Sequence, residues 1–340
     1  MPVGFPMPRD VEQMFDETRR VRVSTRAGTR FPLPVPNGWF IVAESNDLAP
    51  GEVRPLHYFD RDLVLFRTQS GEPRLLDAYC VHLGAHLAVG GRVEGDCIRC
   101  PFHGFTFDGV SGRCVEIPYA QVSRIPARAA QRAYPTLERN HMIWAWHHAE
   151  GAEPFYDVPV VDELDDPDWH PFRVTTFKIG VSCQDMSENT VDSAHFLYVL
   201  GQESIPGVVF TTDGTRKRAV GPVGVFVRDG YGLGLGVFRL QGRYTVLSST
   251  TPIDREHLEA RWVFTAPRTL DEEEASAAYD NLIAAVSQDI PIWENKIYQH
   301  RPVLTRSEGL VMEQRRWARQ FYSDLSGLPD EADFLDDQEA

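Results

Sequence analysis

Two short segments constrain this chain more than anything else in it: Cys80-Val81-His82 and Cys100-Pro101-Phe102-His103, separated by 17 residues. Each supplies one thiolate and one imidazole, the ligands favoured by soft and borderline transition metals. Gly84, Gly90, Gly91 and Gly104 crowd the same stretch and put the four side chains on tight loops between strands. Ligands shared evenly between two loops suit a [2Fe–2S] centre in which thiolates hold one iron and imidazoles the other. A zinc site is the rival, but zinc modules usually pair cysteine with cysteine and carry their histidines on a helix. Cys97, Cys114 and Cys183 fit no ligand spacing and read as small packing residues.

The remaining composition narrows the partners. At 340 residues the chain holds about two domains of ~150 residues, and 42% hydrophobic content supplies a core for both. Lys and Arg total 34 against 49 Asp and Glu, a net charge of −15. That balance opposes any sequence-independent hold on nucleic acid or an anionic membrane. No run approaches the ~18 apolar residues that span a bilayer, and MPVGFPMPRD lacks the basic start and apolar stretch of a signal peptide. The expectation is a soluble, cytoplasmic protein.

Four segments follow from pattern and punctuation. Residues 1–36 read as an arm, with a short helix at about 9–20 and a Pro-rich stretch after it. Residues 37–150 read as a small all-β domain, from runs such as WFIVAES, LVLFRT and MIWAWHH. Residues 151–325 read as α+β. FRVTTFKIGV, VGVFVRD, LGLGVFRLQG, YTVLSSTTPI and LEARWVFTA predict a large antiparallel sheet, followed by helices at about 271–290 and 307–325. Residues 326–340 form an acidic tail. The glycines of Gly230 to Gly236 lie in a strand-like run and not ahead of a helix, so no nucleotide fingerprint is present. His147-His148 reads as an exposed strand end, and His86 as packing.

CVHLGAHL and CPFHGFTFDGVSGRC, preceded by PNGWFIVAES and LAPGEVRPL, resemble the Rieske-type non-haem iron oxygenases. The wording is nearest to bacterial 3-ketosteroid 9α-hydroxylase oxygenase components and related sterol oxygenases. Respiratory Rieske proteins carry a further cysteine in each loop, where this chain has Ala85 and Phe102. The resemblance implies a Rieske domain holding a [2Fe–2S] cluster on Cys80, His82, Cys100 and His103, then a helix-grip-like domain with C-terminal helices. It also implies a mononuclear Fe(II) that uses O2, a homotrimer, a separate ferredoxin or flavin reductase, and a small, bulky apolar substrate.

SENTVDSAHFLYVL resembles the family helix that carries the mononuclear iron histidines. Asn189, Asp192 and His195 match it; the second histidine is replaced by Leu200. Asp192 and His195 are expected to share a helix face. In the family, an aspartate at the position of Asp192 links the cluster histidine of a neighbouring subunit, here His103, to the iron histidine. On the predicted helix, Ala275, Tyr279, Leu282 and Val286 form an apolar stripe that Asp289 continues, with Pro291 disturbing the helix just beyond. A carboxylate there needs a metal or an ion-pair partner, and the match of QD-x-x-IWENK to the family makes it the iron carboxylate. Three readings of Leu200 stay open. The iron sits on His195 and Asp289 with water, Gln202 or Glu203 beside it; the iron is gone and the protein transfers electrons or binds a ligand; or the cavity serves other chemistry. Six arginines between Cys80 and Arg132 against four acids suggest either a docking patch for an acidic ferredoxin or reductase, or a solvated face.

Overall fold

The computed structural model describes residues 30–120, 124–305 and 308–325, so the predicted arm helix and the acidic tail lie outside the described residues. The chain divides into two compact units, one of them Asn37–Val160 and the other comprising the described residues 30–36 and 161–325. Short strands build the first unit, in line with the all-β expectation. They are β1 (Gly38–Glu44), β2 (Val53–Tyr58), β3 (Arg61–Arg67), β4 (Pro73–Asp77), β5 (Arg92–Glu94) and β6 (Cys97–Arg99). Then follow β7 (Thr106–Asp108), β8 (Cys114–Glu116), β9 (Ala133–Tyr134), β10 (Thr136–Arg139) and β11 (Met142–His147). Three antiparallel sheets result, ordered β1-β11-β10, β2-β3-β4-β9 and β5-β6-β7-β8. Every residue of β11 is buried. His147 is therefore not the exposed strand end that its polarity suggested; its ring packs on Phe59 at 4.7 Å.

The second unit is built on one seven-stranded antiparallel sheet. Its strands are β12 (Arg173–Ile179), β13 (Val209–Asp213), β14 (Arg216–Val220), β15 (Phe226–Tyr231), β16 (Leu235–Leu240), β17 (Tyr244–Pro252) and β18 (Leu258–Thr265). The order is β12-β18-β17-β16-β15-β14-β13. Helices α1 (Cys183–Glu188) and α2 (Ala194–Tyr198) lie between the first two strands in sequence; α3 (Glu272–Glu294) and α4 (Gly309–Ala318) come last. The α+β expectation holds.

Local chemistry sets the long helix. Asp271 and Glu274 close a reciprocal capping box, and Glu272, Glu273 and Glu274 complement the positive end of the helix dipole. Ala275, Tyr279 and Leu282 pack against Phe238, Val246, Trp262 and Phe264 of the sheet. Contrary to expectation, Pro291 does not end the helix, which continues to Glu294. The ring sits on the exposed side, the Asn295 amide donates to the Pro291 carbonyl at 2.8 Å, and Trp293 is buried beyond it. Solvent access and that cap offset the lost backbone bond. The last helix is shorter than expected, with a 3-10 turn over Arg319–Phe321. It grips α1 through a bidentate Arg315–Glu188 pair at 2.9 and 3.0 Å and through Gln314, which donates to the Ser187 hydroxyl at 2.8 Å.

Candidate metal centres and the apolar cavity

The two Cys/His loops are built alike. In the first, the Gly84 N–H donates to the Cys80 carbonyl at 2.8 Å and the Cys80 N–H to the Ala85 carbonyl at 2.8 Å. In the second, Gly104 bonds Cys100 at 3.1 Å and Cys100 bonds Phe105 at 2.8 Å. Both glycines have φ of +74°, a left-handed turn that costs a side-chain-bearing residue about 1 kcal/mol or more. Each loop thus curls its cysteine and histidine toward one tip. Gln131 holds the first loop from behind: its amide donates to the Asp77 and Tyr79 carbonyls, and its oxygen accepts from the Val81 N–H. The sequence reading missed Gln131, since a lone glutamine 50 residues away carries no pattern.

Cys80 and Cys100 are both buried, and burial pushes the Cys80 thiol up to about 11, with the neighbouring Cys100 thiol adding to the rise. The His82 and His103 rings meet edge to face at 4.8 Å, and Phe105 stacks flat on His82 at 4.4 Å. His103 Nδ1 is buried with no hydrogen-bond partner among the described residues. Two adjacent buried thiols and an orphaned imidazole nitrogen are what a metal cluster would satisfy. Cys114 and Cys183 are buried and Cys97 is half-buried; all three are free thiols, Cys183 donating to the Thr250 carbonyl.

In the other unit, one cavity of about 660 Å³ lies between α2, α3 and the sheet. Asn189, His195, Leu200, Gln202 and Asp289 all line it, whereas Asp192 and Glu203 do not. The continuous helix expected over this segment is broken. Asn189 caps the end of α1, and Asp192 precedes α2, its carboxylate accepting from the N–H groups of Ala194 at 3.1 Å and His195 at 3.3 Å. The run Asn189 to Ser193 offers the backbone side-chain partners that compete with a helix. Asp192 and His195 still meet, with Oδ2 3.8 Å from Nδ1. That gap is too long for a hydrogen bond, and His195 Nδ1 has none among the described residues. The imidazole beside it nevertheless holds the Asp192 carboxyl below the usual carboxylate range.

Asp289 is only 6% exposed and makes no ion pair among the described residues, so the ion-pair partner considered from sequence is absent there. Burial pushes its carboxyl up; His195 opposes the rise and Asp192 adds to it. A buried carboxylate and a buried imidazole therefore face one cavity with unspent ligand capacity, and these two could hold a metal. No three His, Cys, Asp or Glu side chains among the described residues converge on one point.

Comparison with known proteins places this architecture. Residues 38–134 match the model of the Rieske [2Fe-2S] domain, and residues 145–219 and 228–322 match that of the 3-Ketosteroid 9alpha-hydroxylase C-terminal domain. Over 331 residues the chain is 31% identical to the oxygenase component of 3-ketosteroid-9-alpha-monooxygenase from Rhodococcus rhodochrous, covering 87% of this chain and 86% of that protein. It is 30% identical to cholesterol 7-desaturase nvd 1 of Ciona intestinalis, covering 92% of this chain and 74% of the relative. NdmA of Pseudomonas putida CBB5 shares the fold, with a TM-score of 0.68 at 19% identity over 83% of this chain and 88% of that one. The chain belongs to the Rieske oxygenase family, a class of oxidoreductases, and its first unit is a Rieske [2Fe-2S] domain. No helix among the described residues is long and apolar enough to cross a membrane.

Proposed function

We propose that this chain is the oxygenase component of a Rieske system that hydroxylates or desaturates a bulky apolar molecule of sterol size, using O2 and electrons from a separate ferredoxin or flavin reductase. The observation that carries this reading is the His195 and Asp289 pair, unpartnered on the wall of a cavity lined mainly by apolar side chains. At about 660 Å³ the cavity falls within the ~300–1,000 Å³ range of small-molecule sites. The relatives named for cholesterol and 3-ketosteroid chemistry support a sterol. Cys80 and Cys100 would hold one iron of the cluster and His82 and His103 the other, while His195 and Asp289 would hold the mononuclear Fe(II). A bound Fe(II) of this kind supplies open positions for dioxygen.

The chain's own side chains do the remaining work. Phe226, Phe238 and Trp262 line the cavity and offer aromatic faces to a flat apolar body, Asn189 adds a polar group to the wall that holds His195, and the Asp192 carboxylate lies 3.8 Å from the imidazole. Leu200 offers no donor, and of the two polar neighbours only Gln202 reaches the cavity. Purified protein is expected to contain about three irons per chain, two in the cluster and one mononuclear. A value of about two would overturn the mononuclear site and leave a protein for electron transfer, binding or other chemistry. Leu200→His is expected to slow chelator removal of that iron by about 10–100-fold; no gain would mean that position 200 is not the missing ligand.

The same reading includes a head-to-tail homotrimer in which His103 of one protomer faces Asp192 of its neighbour. Leu83, Phe102 and Tyr119 support it: these large apolar side chains are exposed around the cluster loops, Phe102 to 61%. Such a patch at the tip of a domain marks a contact surface. Asp192 is also half-exposed. Light scattering at low protein concentration is expected to give the mass of three chains, and a strictly monomeric, cluster-loaded protein would remove the inter-subunit route. Arg92, Arg113, Arg124 and Arg128 are exposed on the Rieske unit and support docking of an acidic electron donor.

A further inference from the structure

The cavity wall carries a charge that the oxidation chemistry does not use. Strand register puts two adjacent rows on one face of the sheet. One runs Ala219, Arg228, Phe238, Val246, and the next runs Lys217, Gly230, Gly236, Ser248, Trp262. Phe238, Val246, Ser248 and Trp262 line the cavity, and Arg228 stands among them. Its sequence neighbour Asp229 points to the opposite face, where Arg216 binds it at 2.8 Å. Glu188, a buried acid of α1, is taken by Arg315. Among the described residues the Arg228 guanidinium has neither a hydrogen bond nor an ion pair, and burial pulls it down to about 10.

Beside the cavity lies a small annex of about 30 Å³, room for one small polar group, which shares Arg228 and Ser248 with the cavity wall and is lined also by Thr190 and Lys217. The two glycines of the Lys217 row clear its floor: a Cβ at Gly230 would come within 2.6 Å of the Lys217 side chain. Lys217 is fixed to the Ser187 carbonyl at 3.1 Å and to its hydroxyl at 2.5 Å. Thr190 is 8% exposed and its hydroxyl has no hydrogen-bond partner among the described residues. Acidic side chains are absent from the annex lining, and Arg228 is not among the charges that move Asp289. An unpaired, half-buried guanidinium and an orphaned hydroxyl thus meet beside Lys217, whose charged form burial and the Arg228 charge both disfavour, at a pocket whose lining includes neither proposed iron ligand. Apolar surroundings make such charge costly unless an anion answers it.

We propose that Arg228, with Thr190, is a carboxylate anchor, so that the substrate of this chain is an apolar ring system bearing an acidic side chain. This rests on the sterol-size reading above. The planar guanidinium fork matches a carboxylate, the unpartnered Thr190 hydroxyl can donate to one of its oxygens, Ser248, whose own hydroxyl donates to the Gly236 carbonyl at 3.2 Å, bounds the pocket, and the aromatic wall takes the rings. The anchor fixes which end of the substrate lies away from His195 and Asp289, and therefore which carbons can reach them.

The test is calorimetric titration of the cluster-loaded protein with cholanic acid and with the primary alcohol of the same skeleton. The acid is expected to bind about 30-fold more tightly, the scale of charge-assisted hydrogen bonds. In Arg228→Met the preference should vanish, and in Arg228→Lys, which keeps the charge but not the fork, it should shrink to a few-fold; unfolding midpoints confirm that both variants fold. Equal binding of acid and alcohol by the wild-type protein overturns the anchor while leaving the sterol reading intact. A preference that survives Arg228→Met overturns it as well. Failure of both compounds to bind overturns the sterol reading and the anchor with it.

Discussion

Cys100→Ser is expected to give a protein without visible colour, without a paramagnetic signal after reduction, and without turnover. Cys100 lies on a buried loop whose backbone bonds to Gly104 and Phe105 remain in the variant, so the chain itself has no reason to unfold. On the proposed ligation, what disappears is one of two thiolates on one iron. A serine hydroxyl is far harder to deprotonate than a thiol, and a hard oxygen is a poor substitute on an iron bridged by sulfide. Absorbance, electron paramagnetic resonance and iron content read the result together. A variant that kept colour and signal would place the cluster elsewhere.

Asp289→Ala separates a metal ligand from a structural ion by the sign of a stability change. Turnover is expected to fall by more than about 100-fold, since even residues outside the ligand set commonly change metal affinity or activity by 10–100-fold. The cluster spectrum should be unchanged, because Cys80, His82, Cys100 and His103 are untouched. In an ordinary buried salt bridge, deleting one partner strands the other and costs about 3–5 kcal/mol. Asp289 has no such partner among the described residues, and burial already disfavours its ionised form. Removing it should therefore leave the chelator-treated protein as stable as the wild type or more so, as read by denaturant unfolding. A loss of about 3 kcal/mol with an intact cluster would make Asp289 a structural carboxylate.

The legible parts of this molecule were those written in local pattern. C-x-H and C-x-x-H named four side chains because the two glycine-closed loops are short-range structures, and LEARWVFTA announced β18 by alternation. Asp289 could be singled out as a carboxylate at an apolar position. Elsewhere the competition between effects was close. Residues 209–220 include TTDGTRKR, too polar to read as strands, yet β13 and β14 form there, with Phe210 and Ala219 buried against Val191 and Arg216 paired with Asp229 across the sheet. Asn189 to Ser193 matched a helical motif while its short polar side chains preferred turns, and Pro291 was survivable only because its ring meets solvent and Asn295 caps beyond it. Arg228, Ser248 and Trp262 lie on three strands. Their meeting on one wall depends on the register of the whole sheet, information that no window of sequence contains.

The paired loops of the Rieske domain have a bearing on speed as well as on ligation. Each cysteine is tied at both its N–H and its carbonyl to residues four and five positions on, and the first loop is also pinned by Gln131. A ligand frame held by its own backbone has little freedom to shift when the net charge at its tip changes by one. Small nuclear displacement means a low reorganisation barrier, so transfer through this centre would be limited by donor encounter and separation distance. The glycines at positions 84 and 104 are, in that sense, kinetic residues.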